Sequence, residues 1–181
     1  MANSSALDAA YRRCRTLTLL VERARSEAVA NPSQDRWKDF EITSPGDSRV
    51  ACAAKVNDAF DQILNLLNHV TILDMAASFE MATKARLGTR IGDTRSAIAA
   101  AVQKNSLPVY HARLVRSQKD FDGLNSLAEL LQGHIDENVS EVLSAVRESR
   151  NAFAHGTDVT VPPKAGREEA LGALREALDR I

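Results

Sequence analysis

Apolar residues recur at helical spacing along most of the chain, and this pattern predicts helices rather than strands. Near the start they stand three or four positions apart, above an arginine-rich opposite face. They are Leu7, Ala10, Leu17, Leu20 and Val21. Such a stripe is typical of a helix that packs one side against a core. We expect this helix to run from a cap at Ser4 or Ser5 to about Ala30.

Residues 31–47 interrupt the helical pattern. Pro32, Pro45 and Gly46 stand here among Ser, Asp and Thr residues, a composition typical of a long surface loop. The two aromatic residues of the loop, Trp37 and Phe40, are expected to pack onto the helices.

The strongest helical pattern lies between Ser48 and Leu87, where neither Pro nor Gly occurs. Its apolar ridge follows alternating three- and four-residue steps through Ala53, Val56, Phe60, Ile63, Leu67 and Val70. About 40 residues would be long for a globular helix, so we expect a kink or break near His69 to Leu73, where β-branched residues cluster. Gly88 is expected to end the helix. The ridge is assigned to the core, with some contact to a second copy.

Shorter helices are predicted in the second half. Asp93 or Thr94 can cap an Ala-rich helix ending near Gln103, and a break at residues 105–108 leads into a basic connector. Further helices are expected at about 125–135 and about 138–154, the second stopped by Gly156. A last amphipathic helix follows the Pro162–Pro163 loop, with apolar positions at Leu171, Leu174, Leu178 and Ile181.

Length and composition agree with one helical domain. The 181 residues suffice for one good core, and only 4% of them are aromatic against 44% hydrophobic. We therefore predict an all-α domain over residues 1–181, a helical bundle with a long central helix pair and additional short helices.

Charge is unevenly distributed. A net charge of -1 argues against a protein that coats nucleic acid through bulk positive charge. Between Met81 and Lys119, however, eight basic residues face one acidic residue, a local balance of +7. This stretch is either a solvated surface balanced by acidic flanks or the binding surface of an anionic partner.

Cysteine and histidine positions predict no metal site and no cofactor. Cys14 and Cys52 show no paired spacing, and the four histidines at 69, 111, 134 and 155 are scattered. No apolar run reaches the length of a membrane span and no signal peptide is recognisable, so we expect a cytoplasmic protein without membrane association.

The stretch from Arg147 to Gly156 carries the candidate chemistry. On a helix, Arg147, Asn151 and His155 form one ladder with Arg150 on its flank. The apolar stripe lies on another side, at Val139, Val142, Val146 and Phe153. A histidine at a helix end can exchange protons near neutral pH, an arginine fork suits a phosphate, and an asparagine can orient either partner. These groups supply what RNA cleavage without a metal requires.

Residues 150–156 resemble the RNxxxHG form of the Rx4-6H motif of HEPN domains (higher eukaryotes and prokaryotes nucleotide-binding), in particular the RiboL-PSP-HEPN-like group. The motif match covers seven residues, and the helical setting extends the likeness over about 48–181. The resemblance implies a metal-independent endoribonuclease of toxin–antitoxin or phage-defence systems. It also implies a homodimer with two motifs facing each other, and cleavage that leaves a 2′,3′-cyclic phosphate.

Site roles follow from the same resemblance. His155 corresponds to the general acid or base, Arg150 to the cation that stabilises the transition state, and Asn151 to the polar residue after the arginine. Glu80 is our candidate for the polar residue that the family tends to place on an earlier helix, and Arg147 could touch a phosphate. Thr157 stands where toxins paired with nucleotidyltransferase antitoxins carry a modified Tyr, so silencing by that kind of antitoxin is not implied.

Two other classes remain open from the sequence. A HEPN-like fold can serve as a non-catalytic module that binds RNA, a nucleotide or a regulatory protein through the same surface. The chain could also be a structural dimerisation domain, in which His155 only caps the helix end.

Overall fold

A computed structural model of the chain describes residues 2–32, 37–104, 131, 133–156 and 163–181. The regular structure within these ranges is helical and includes no strand. The helices are α1 (Ala2–Ala30), α2 (Arg49–Gln103), α3 (Glu137–Ala154) and α4 (Arg167–Arg180), with a short 3-10 turn at Lys38–Phe40. The predicted all-α class is confirmed for the described part of the chain.

Helix α1 ends at Ala30, as its apolar pattern predicts, but it begins before the expected cap. Ser4 and Ser5 already lie inside the helix, so the predicted start of α1 is wrong by a few residues.

Helix α2 runs unbroken for 55 residues, which contradicts the predicted interruptions. The Ser48 Oγ caps its start by accepting a hydrogen bond from the Ala51 N–H at 3.2 Å. No break occurs between His69 and Leu73, because the β-branched Thr71 and Ile72 are buried in the core and packing outweighs their lower helix propensity.

The glycines in α2 do not end it either. Gly88 lacks the positive φ of a helix-ending glycine, and a glycine inside a helix costs only about 1 kcal/mol relative to alanine. The helix therefore continues through Asp93, and no separate cap forms there. One continuous helix therefore stands where separate helices ending near Leu87 and Gln103 were predicted.

Helices α1 and α2 lie side by side in opposite directions. The Arg13 Nη2 lies 2.8 Å from the Asp74 Oδ2, and the Arg25 Nη1 lies 2.9 Å from the Asp61 Oδ1. The later residue of α1, Arg25, thus pairs with the earlier residue of α2, Asp61, so the two helices are antiparallel.

The main core takes side chains from all four helices. Leu7 of α1, Phe79 of α2, Val146 of α3 and Leu174 of α4 are almost fully buried in one cluster. Full burial of such a side chain contributes about 1.5–3 kcal/mol. The apolar positions of α4, from Leu171 to Ile181, are buried as predicted.

A smaller cluster packs under the loop between α1 and α2. Ala28, Val56 and Phe60 form it, and the Trp37 ring meets the Phe60 ring edge-on with centroids 6.0 Å apart. Trp37 therefore packs onto the helices as predicted, whereas Phe40 stays 69% exposed beside it.

The predicted apolar ridge of α2 divides along its length. Val56 and Phe60 are buried, but Ile63 and Val70 remain 43% and 37% exposed. Of the helices in the described ranges, none has the length and apolarity that crossing a bilayer requires. Most of the predicted helix at 125–135 lies outside the described residues; within them Leu131 is helical, but residues 133–135 are not and Gly133 has a φ of +79°, so the predicted end at Ile135 is wrong. The basic connector after 104 and Thr157 lie wholly outside the described residues.

Candidate functional site

The C-terminal end of α3 forms as its sequence predicts. The His155 N–H donates to the Asn151 carbonyl at 3.0 Å, and the Gly156 N–H donates to the Phe153 carbonyl at 3.1 Å. Gly156 has a φ of +79°, the left-handed conformation that glycine adopts at little cost just beyond a helix. The predicted stop at Gly156 is confirmed.

Buried contacts hold α3 against the rest of the molecule. Leu143 and Val146 enter the main core, and the buried Ser149 Oγ accepts a hydrogen bond from the Lys164 N–H at 3.0 Å. Ser149 stands directly before the motif, so this bond ties the segment leading into α4 to the helix that carries the candidate residues. The sequence pattern did not single out Ser149.

Arg150 is held between two helices. Its Nη2 lies 3.3 Å from the Glu80 Oε2, and its Nη1 donates to the Asn151 Oδ1 at 3.2 Å. The Glu80 side chain is 17% exposed and the Arg150 side chain 38% exposed. The carboxylate is therefore mostly enclosed, while part of the guanidinium remains open to solvent.

Asn151 links the Arg150–Glu80 pair to the C-terminal end of α3. It lies one turn before His155, and the hydrogen bond from Arg150 draws the guanidinium toward the side that Asn151 occupies. His155 is exposed and follows directly on the last residue of the helix, Ala154, as its C-cap. Among the hydrogen bonds and ion pairs of the described residues, none joins His155 to Arg150.

An aromatic contact fixes the same end of α3 against α2. The His69 and Phe153 rings are stacked, with centroids 5.6 Å apart and planes 16° from parallel. His69 is only 5% exposed. Phe153 was expected on the core-facing stripe, but no local pattern in the sequence pairs two residues 84 positions apart.

Arg147 occupies the start of the ladder, one turn before Asn151, and is half-buried. Its neighbour Glu148 binds the Lys164 Nζ at 2.6 Å. This hydrogen bond lowers the pKa of Glu148, and the positive charge of Arg147 lowers it further. Arg147 thus contributes positive potential beside the motif.

The arrangement combines a half-exposed guanidinium, an amide and an exposed imidazole at one helix end. The described residues include no group of three or more His, Cys, Asp or Glu side chains placed to hold a metal ion. The chemistry that these side chains offer is proton exchange by an imidazole and charge stabilisation by a guanidinium.

The chain matches no protein-family model, and no curated protein or solved structure matches it either. The likeness to HEPN domains therefore rests on residues 150–156 and on their helical setting.

Proposed function

We propose that the chain is a metal-independent endoribonuclease of the HEPN type, acting in a toxin–antitoxin or phage-defence system. The observation that carries the proposal is the Arg150 guanidinium, held by Glu80 and Asn151 at the helix end where His155 is exposed. Both members of the Arg–His motif are thus accessible to a ligand.

In the proposed reaction the ribose 2′-oxygen attacks the adjacent phosphorus. The His155 imidazole removes the 2′-OH proton as the new P–O bond forms. The bond to the 5′-oxygen breaks, and that oxygen takes up a proton, which leaves a 2′,3′-cyclic phosphate and a 5′-hydroxyl. In a homodimer, which the resemblance implies, the second His155 is the candidate proton donor.

Arg150 has free donor capacity for the phosphate. A guanidinium carries five N–H groups, and the contacts with Glu80 and Asn151 occupy Nη2 and Nη1 once each. The remaining N–H groups can bind phosphate oxygens, on which negative charge grows in the transition state. Glu80 acts here as a positioning residue, because it orients Arg150 from the neighbouring helix.

The test compares His155→Ala with His134→Ala, a matched control. Both histidines are exposed, at opposite ends of the α3 region. Purified proteins are incubated with labelled RNA in excess EDTA, and the product ends are identified. We expect cleavage to survive EDTA, to fall about 10²–10⁴-fold in His155→Ala and to change less than about 2-fold in His134→Ala.

Cleavage that requires a metal, or that persists in His155→Ala, would contradict the proposal. A non-catalytic RNA-binding module is the alternative, since a HEPN-like fold can also serve as a binding module. RNA binding without cleavage by the wild-type protein would support that alternative.

A further inference from the structure

The C-terminal part of α2 carries a concentrated positive charge that the proposed catalytic site does not use. Residues 84–104, here called the basic arm, hold five basic residues and one acidic residue, a balance of +4. Residues 49–83, here called the core half, hold two basic and four acidic residues, a balance of -2. The sign of the charge reverses along a single helix.

Three of the five cations of the basic arm are exposed, and the other two, Arg86 and Arg95, are half-buried. No residue of the arm is buried, and Lys84, Arg90 and Lys104 are exposed. Within the described residues these three have no carboxylate partner, whereas Arg13, Arg25 and Lys55 are each bound to an Asp. Positive charge that is not neutralised by an ion pair remains available to an external anion.

The basic arm begins at the candidate site. Lys84 follows Glu80 by one helical turn, so their Cβ atoms stand about 5–6 Å apart on the same face. Glu80 in turn holds Arg150. From Lys84 the arm extends about 30 Å along the helix axis to Lys104. At 100° per residue, Arg90 and Lys104 lie about 120° and 160° around the helix from Lys84. A chain of phosphates that leaves the site next to Arg150 would therefore meet Lys84 first and cross the exposed surface of the arm to reach the other two cations.

We propose that the basic arm binds the phosphate backbone of single-stranded RNA flanking the bond to be cut. This inference rests on the proposed ribonuclease function, because the site defines where the strand begins. Lysine and arginine contacts with phosphates carry no sequence information, so the arm supplies affinity without base preference. Binding through phosphates releases counterions and is weakened by salt.

The experiment measures the affinity for a fluorescent single-stranded RNA as a function of salt. His155→Ala serves as the background so that the RNA stays intact. Lys84→Gln, Arg90→Gln and Lys104→Gln are combined in one variant. For single strands each lost phosphate contact lowers the slope of log K against log salt by about 0.7, so the triple variant should lose about 2 in slope and bind about 100-fold more weakly at 0.1 M salt.

Arg49→Gln is the matched control. Arg49 is exposed in the first turn of the same helix, at the opposite end from the arm. We expect its affinity and salt slope to match those of the background protein, and circular dichroism should show that all variants remain helical. An unchanged affinity in the triple variant, or an equal loss in Arg49→Gln, would overturn the proposal.

Cleavage kinetics separate this inference from the proposed function. In the cleaving protein, the three arm substitutions should raise KM and leave kcat unchanged. If the wild type does not cleave but the triple variant loses RNA affinity, the ribonuclease proposal fails and the arm proposal stands. If cleavage occurs and neither KM nor affinity changes, the arm proposal fails alone. Absence of RNA binding by both proteins overturns both.

Discussion

The core half and the basic arm of α2 form one continuous helix, but different interactions stabilise the two parts. All twelve buried residues of the helix lie in the core half, where α1, α3 and α4 cover it. The basic arm contains none. In the core half tertiary packing stabilises the helix, including its β-branched residues, whereas in the arm intrinsic propensity contributes more, as in the alanine-rich run at 99–101.

The border between the two parts coincides with the candidate site. Phe79 is fully buried, Glu80 holds Arg150, and Lys84 is exposed one turn later. The buried core thus positions the Glu80 carboxylate. The exposed basic residues that begin with Lys84 one turn later take no part in that core. Substitutions in the core half are therefore expected to change the stability of the fold, and substitutions in the basic arm to change ligand binding.

The largest expected effect is at Phe79. Phe79→Ala removes a fully buried ring from the main core, so the free energy of unfolding should fall by about 3–5 kcal/mol. Met81→Ala, two residues later and 66% exposed, should change it by less than about 0.5 kcal/mol. Denaturant unfolding measures both. Similar losses in the two variants would show that burial does not decide what a side chain of the core half contributes to stability.

Hydrophobic spacing predicted the helices correctly where each apolar stripe faces a core. The end of α3 and the buried positions of α4 are confirmed, since these features depend on local periodicity and on the glycine at 156. The end of α1 is confirmed too, but Leu17 and Leu20 of its predicted stripe are 49% and 59% exposed. The interruptions predicted in α2 were wrong. Helix propensity is a weak local preference, and the sequence does not reveal which β-branched residues will be buried by distant segments.

The candidate site was predictable only in part. Arg150, Asn151 and His155 stand close together in the sequence, and Glu80 was proposed from the resemblance alone; the structure places Glu80 against Arg150. Neither Ser149 nor the stacking of His69 on Phe153 was foreseen. Contacts between residues far apart in sequence depend on how helices cross, which periodicity does not specify.

A smaller effect is expected at the glycines of the basic arm. Gly88 and Gly92 are helical, and an added Cβ at either would meet no heavy atom within 4 Å. Alanine should stabilise the helix by about 0.5–1 kcal/mol at each position, because glycine loses more backbone entropy on folding. Amide hydrogen exchange in the arm should then slow by up to about 5-fold per substitution.

The same glycine-to-alanine substitution should have the opposite effect on helix stability at Gly156. Its φ of +79° disfavours an L side chain, so this substitution should destabilise the end of α3 by about 1 kcal/mol. Faster exchange in Gly88→Ala or Gly92→Ala would show that the arm is not an open helix at these positions.

The smallest expected effect concerns the acidic anchor at the start of the core half. Asp47 accepts hydrogen bonds from the Lys55 Nζ at 2.8 Å and from the Ser44 N–H at 2.7 Å, and the Lys55 contact is the main reason that the pKa of Asp47 is lowered. A carboxyl with a lowered pKa in the folded state stabilises the fold above its ordinary pKa, and this contribution disappears as the pH falls through the lowered value. Asp47→Asn should therefore lower Tm at pH 6 and make little difference near pH 3. Asp93→Asn, at an exposed position of the basic arm without an ion pair in the described residues, should leave the difference in Tm between these two pH values as in the wild type. If Asp93→Asn changed this difference in Tm as much as Asp47→Asn does, the ion pair of Asp47 with Lys55 would not be the cause of the pH dependence.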